Sequence, residues 1–164
     1  MLLRDQAAFP LAERFRREGA PIGEVFSFVS GLYFRGKMAY ASAFAMGSAR
    51  VIAAGRGLLP PETIITLDEF RAMAAVPVDP AEPLYLEPFE RDARALEASE
   101  IVLLGSIATP KYIGPLAAIF GERLLVPSRF VGLGDMSRGS LMLRAAAAGE
   151  ELAYIPALHA KKKK

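Results

Sequence analysis

Apolar residues along this chain fall into short runs, each cut off by glycine, proline or a charge. The longest stretch of interest is residues 25–44, VFSFVSGLYFRGKMAYASAF, where an apolar run ends abruptly at Ser30 and Gly31. Val25, Phe26, Phe28 and Val29 read as a strand buried on both faces. The chain then crosses Tyr33, Arg35 and Lys37 into a predicted helix over 36–46, closed by Gly47. RVIAA at 50–54, IVLL at 101–104 and RLLV at 123–126 repeat the pattern of a short apolar strand followed by a polar loop.

Helical signals fill the intervals. Residues 5–18 form an amphipathic stretch, with Pro10 suited to a first turn, Phe9, Leu11 and Phe15 on its apolar side, and Gly19 as its stop. TLDE at 66–69 is a capping box that starts a helix through about residue 75. Residues 76–88 carry Pro77, Pro80, Pro83 and Pro88 and read as irregular, with Leu84–Leu86 as a short edge strand and a helix opened by Pro88. Thr109 and Pro110 pair as N-cap and first helical residue of a segment that Gly121 ends. A last helix over 136–148 closes at Gly149, ahead of an irregular tail.

Strands alternating with helices predict one α/β domain over residues 1–160, a three-layer α/β/α sandwich around a mostly parallel sheet. That sheet has four strands, or five if Leu84–Leu86 joins it. In such a sheet the strand-to-helix loops open on one edge, where ligands bind at the reversal of strand order.

On that rim the loops carry cations, hydroxyls and glycines. The first supplies Ser30, Gly31, Tyr33, Arg35 and Lys37, and the second Gly55, Arg56 and Glu62. Ser106, Thr109, Lys111 and Tyr112 come from the third, and Ser128, Arg129, Gly132, Gly134, Asp135, Ser137 and Arg138 from the fourth. Glycines admit backbone amides to a ligand, and helix N-termini offer unpaired amides and a positive dipole end. The set suits a phosphate or carboxylate. GRG at 55–57 reads equally well as a plain turn, and GLGDMSRG is neither GxGxxG nor a P-loop.

Charge sharpens this picture. The formal net charge is +2, but Lys161–Lys164 supply four of the twenty positive charges, so the remaining sixteen face eighteen acids. Those terminal lysines read as a basic tail. The body writes its positive charge as fourteen arginines and only two lysines, Lys37 and Lys111, both set early in a helix where a cation is disfavoured without an anion nearby. Lysine is also the compact, titratable cation. Lys37, Asp135 and Glu62 are therefore the candidates for proton transfer. Cysteine is absent, which excludes thiolate chemistry, and the single histidine, His159, excludes His-centred triads and multi-His metal sites. Nothing calls for a cofactor or a metal. No apolar run approaches the ~20 residues that span a bilayer, and the N-terminus lacks a leader pattern, so the expectation is a cytoplasmic protein without membrane partners.

FVSGLYFRGKMAYA, GRGLLPPE, GSIATPKY and GDMSRGSLMLRAA together resemble a set of small bacterial proteins that carry no assigned activity, over about residues 25–150. The predicted architecture also resembles the uracil-DNA-glycosylase-like and other nucleotide-handling α/β sandwiches. The glycosylases' His-Pro-Ser loop is missing, so that likeness implies architecture and not base excision. The leading expectation is a protein that binds a phosphorylated small molecule, a nucleoside or nucleotide first, and acts on it. The alternative is a non-catalytic nucleic-acid-binding module that uses the same rim and the lysine tail.

Overall fold

The computed structural model describes residues 10–45 and 47–160. Phe9, Met46 and the terminal lysines lie outside them. Among the described residues seven helices dominate: α1 (Pro10–Glu18), α2 (Ile22–Ser30), α3 (Leu32–Phe44), α4 (Leu67–Ala74), α5 (Pro83–Ala95), α6 (Pro110–Phe120) and α7 (Asp135–Ala148). The strands are short: β1 (Ala20–Pro21), β2 (Val51–Ala53), β3 (Gly57–Leu59), β4 (Ile64–Ile65), β5 (Ile101–Val102), β6 (Leu124–Pro127) and β7 (Tyr154–Pro156).

They form no four-stranded parallel sheet. β1 pairs antiparallel with β4, β2 with β3 as a hairpin, and only β5–β6–β7 makes three strands. Within that sheet β5 and β6 run parallel, Ile101 opposite Leu124, while β7 returns antiparallel, Val126 opposite Ile155. The expected sandwich is thus reduced to one parallel unit, β5–α6–β6, followed by α7.

The largest departure is at residues 25–29. They belong to α2, not to a strand. Ile22 and Val25 are buried and Phe26 half-buried, three and four residues apart, whereas Phe28 (44% exposed) and Val29 (48%) face out. That is helical spacing, visible once the window starts at Ile22 rather than Val25. Gly31, at φ +71°, turns the chain directly into α3. Leu84–Leu86 likewise lies in a helix. Glu82 accepts from the Leu84 amide (3.2 Å), Pro83 takes the first position, and Tyr85 and Phe89 bury one turn apart while Leu84 is exposed. α5 therefore opens at Pro83 and carries Pro88 inside it.

Other expectations hold. Thr66 accepts from the Glu69 amide at 3.1 Å. α6 begins at Pro110 and ends before Gly121, and Gly149 closes α7 in the left-handed conformation. RVIAA contains β2, but the GRG turn sends it back on itself instead of into a helix, and Pro60 and Pro61 remove the donors that would extend β3. The tail is not irregular, since it contributes β7 and a 3-10 turn, Ala157–His159.

Three apolar clusters fill the interior, one around Phe15, Ile65 and Phe70, one under β5–β6 around Phe89, Leu116 and Leu124, and one between α3 and α7. The α3–α7 crossing fixes the site. Gly36 meets Gly139 there so closely that a Cβ on Gly36 would lie 2.5 Å from the Gly139 carbonyl oxygen. The hydroxyls of Tyr40 and Tyr154 hydrogen-bond each other, and the Leu152 amide donates to Tyr40 at 2.9 Å, tying the returning chain to α3.

Candidate functional site

β5 and β6 deliver their carboxyl ends side by side. β5 continues through Leu103 and Leu104 into the loop that starts α6, and β6 runs through a 3-10 turn, Ser128–Phe130, into the loop that starts α7. The N-termini of two helices therefore flank one parallel strand pair. α3 crosses them, because the glycine contact at Gly36 and Gly139 brings its first two turns against α7. The Tyr33 hydroxyl donates to the Leu104 carbonyl at 3.1 Å, which fixes α3 against the end of β5.

Four charged groups gather here. Arg138 is only 5% exposed and is the one charged residue among the buried ones described. Its Nε and Nη2 donate to the Phe130 carbonyl (3.3 and 3.2 Å), and Nη1 lies 3.6 Å from Asp135 Oδ1. Arg138 is thus satisfied, as a buried guanidinium must be. Lys37, one turn after Tyr33 on α3, is half-buried, with Nζ 4.1 Å from the centroid of the Tyr33 ring and 5.7 Å from that of Phe34. Lys111 Nζ lies 5.0 Å from the Tyr112 ring. Among the described residues no carboxylate comes within ion-pair distance of either ammonium.

The electrostatics follow. Burial, with Lys111 and Arg138 adding to it, pushes Lys37 down to about 8, against the opposing pull of Asp135. Loss of water is the main cause, since it penalises the charged form. Burial also pushes the Tyr33 phenol up to about 12, partly offset by Arg138. Tyr112 is raised by burial and by Asp135. Lys37, Lys111, Arg138, Asp135, Tyr33 and Tyr112 thus form one interacting group. No family model, curated protein or solved structure matches the chain. The geometry has to speak for itself.

The third and fourth loops meet as expected, but the first and second do not. Lys37 reaches the site from the second turn of α3, which follows another helix rather than a strand. Ser30 and Gly31 sit at the α2–α3 junction, and Ser30 lines a separate crevice of about 220 Å³ with Phe26, Val29, Tyr85 and Tyr112. Arg35 is exposed on α3. Gly55 and Arg56 form the β2–β3 turn, where Arg56 pairs with Glu69 and its carbonyl accepts from Arg91 at 3.5 Å. Glu62 lies exposed in the turn before β4 and touches none of the cluster's polar groups.

Ser106 accepts from the Ala108 amide at 3.2 Å and shapes the loop, while Thr109 occupies the N-cap of α6 without a side-chain hydrogen bond. Gly132, at φ +81°, and Gly134, the N-cap of α7, lead the chain into Asp135. Ser137 faces an open groove of about 410 Å³ shared with Arg129, Ser140 and Arg144. His159 lies exposed beside Glu122 (3.3 Å). Among the described residues no cluster of acids and histidine could hold a metal ion, and no helix is long and apolar enough to cross a membrane. The Phe130 and Leu104 carbonyls, absent from the sequence reading, leave no trace in sequence.

Proposed function

We propose that Lys37 and Lys111, with the buried Arg138–Asp135 pair behind them, bind a phosphorylated small molecule, with a nucleoside or nucleotide as the first candidate. One observation carries this reading: two half-buried ammonium groups act on one another beside two helix N-termini, and among the described residues no carboxylate lies within ion-pair distance of either. Three cations against one carboxylate leave two positive charges, matching a phosphate monoester dianion. Charge-assisted hydrogen bonds contribute ~1.5–3 kcal/mol each, so two lysines supply about 3–6 kcal/mol, enough for an affinity from millimolar to tens of micromolar. The unpaired amides at the starts of α6 and α7 favour the same sign of ligand. Bound dianion would also restore the proton that Lys37 gives up on burial, so affinity falls as pH rises through about 8.

The test is a thermal-shift panel of inorganic phosphate, nucleotides, sugar phosphates and short oligonucleotides, on the natural chain and on Lys37→Met and Lys111→Met. Stabilisation by phosphorylated small molecules that both substitutions reduce is the expected result. Equal shifts in all three proteins refute the assignment. Stabilisation only by oligonucleotides, with a steep salt dependence, selects the nucleic-acid-binding module instead.

A further inference from the structure

Met136, Ser137, Ser140, Leu141 and Arg144 recur three and four residues apart, so they share one side of α7, with Leu133 just ahead of them. Leu32, in the first turn of α3, stands beside this stripe because Gly36 and Gly139 let the two helices touch. Arg129, from the 3-10 turn after β6, completes the walls of an open groove of about 410 Å³.

The groove is one-sided in its chemistry. Its polar side chains are two guanidiniums and two hydroxyls, and no acid lines it. Among the described residues none of Arg129, Ser137, Ser140 and Arg144 makes a side-chain hydrogen bond or ion pair. By contrast Arg14 meets Glu24, Arg56 meets Glu69 and Arg123 meets the Ala98 carbonyl. Asp135, at the start of α7, is paired with Arg138 at 3.6 Å. The rest of the lining is apolar. Leu141 is buried, Leu32 and Leu133 are half-buried, and Met136, at 67%, is the most exposed large apolar side chain among the described residues. A methionine left in water beside leucines is an adaptable contact for another side chain.

Shape decides the occupant. From Met136 to Arg144 the stripe extends ~12 Å at 1.5 Å per residue, the reach of about four residues of extended chain. A small molecule is held in a cleft that covers most of its surface, whereas this groove lies open along a helix and suits a segment laid across it.

We infer that the groove docks a short acidic peptide of a partner protein, its carboxylates on Arg129 and Arg144 and an apolar side chain on Met136 and the leucines. Guanidinium forks match carboxylates in a bidentate fashion, and Ser137 and Ser140 are free to bond the peptide backbone. The site uses neither Lys37 nor Lys111 and stands apart from the phosphate reading.

The probe is a display library of random heptapeptides, panned at low salt on the full chain and on the Arg129→Gln, Arg144→Gln double variant. Both arginines are exposed, so the double variant should keep the urea melt of the natural chain. Selected peptides should carry aspartate or glutamate on either side of a leucine, isoleucine, phenylalanine or methionine, and the double variant should not select them. By fluorescence polarisation a selected peptide should bind either single variant ~5–10-fold more weakly, and added salt should weaken it further. Met136→Glu should exclude it, and Lys37→Met should bind it as the natural chain does. No enrichment, enrichment without acidic residues, or equal binding by the double variant overturns the proposal. Binding to phosphatidylglycerol vesicles and not to peptides, lost in the double variant, assigns the groove to a lipid surface and overturns it equally.

Discussion

Replacing Lys37 by methionine should make this protein more stable at neutral pH. Burial lowers the Lys37 ammonium from 10.5 to about 8, so holding its proton in the folded chain costs about 3 kcal/mol at any pH below 8, at ~1.4 kcal/mol per unit. Methionine keeps an unbranched apolar stem against Tyr33 and Phe34 and removes that cost. It also forfeits the cation–π contacts, worth ~0.5–1 kcal/mol each. The expected net gain at pH 7 is about 2 kcal/mol, or ~4–8 °C in a chain of this length. The sign with pH is definite. Between about 8 and 10.5 the unfolded lysine binds more protons than the folded one, so the natural chain gains stability as pH rises, and the advantage of Lys37→Met disappears by about pH 10.5. Urea melts of both proteins at pH 6.5, 8, 9 and 10 measure this. A variant less stable than the natural chain at pH 7, or a difference that does not change with pH, refutes the burial argument.

Other consequences follow from single contacts. Gly36→Ala drives a Cβ to within 2.5 Å of the Gly139 carbonyl oxygen and should cost about 1–3 kcal/mol in urea melts, because the α3–α7 crossing must open; a neutral effect would show that the helices separate freely. Gly57→Ala meets two obstacles, φ of +93° and Asp92 Oδ2 at 2.1 Å from the new Cβ. It should cost more than ~2 kcal/mol and expose the Leu58 amide, now bonded to Asp92 at 2.9 Å, to hydrogen exchange. Tyr33→Phe removes the donor to the Leu104 carbonyl and should lose about 1 kcal/mol while leaving the circular dichroism spectrum unchanged.

What the sequence disclosed depended on whether the signal was local. The Thr66 cap, the Thr109–Pro110 helix start and the Gly121 and Gly149 stops are written within a few residues, and all were legible. β5 and β6 were found because each is a short β-branched or leucine run bounded by turn residues. The VFSFV run was misread because four or five apolar residues fit a buried strand and one face of a helix equally well, and the deciding residue, Ile22, lies upstream of the run. The hairpin at Gly55–Gly57 is hard to see for a similar reason: its partner strand, Gly57–Leu59, is only three residues long and runs straight into Pro60 and Pro61. Placing one α/β pattern over all four strands then enlarged a single βαβ unit into a whole sheet.

Lys111, Asp135 and Arg138 hang from the two loops where the pattern was right, whereas Tyr33 and Lys37 join them from α3, where the strand reading failed. The scarcity of lysine singled out Lys37 and Lys111, and the structure sets both within one interacting group. Glu62, Gly55 and Arg56 were collected from a rim that does not extend that far. The meeting of Gly36 with Gly139 depends on residues a hundred positions apart and leaves no local mark, and the Phe130 carbonyl that holds Arg138 is a backbone group with no signature in the sequence.

The account turns on the state of one amine. Selectively ¹³C-labelled lysine allows the Lys37 Cε resonance, assigned by its loss in Lys37→Met, to be followed from pH 6 to 11 with and without sulfate, a dianion that does not titrate in this range. The prediction is a midpoint near 8 in the free protein that moves upward when sulfate binds, with Lys111→Met weakening the effect. A midpoint at the ordinary lysine value of about 10.4, insensitive to sulfate, would contradict both the buried cation cluster and the anion site built on it.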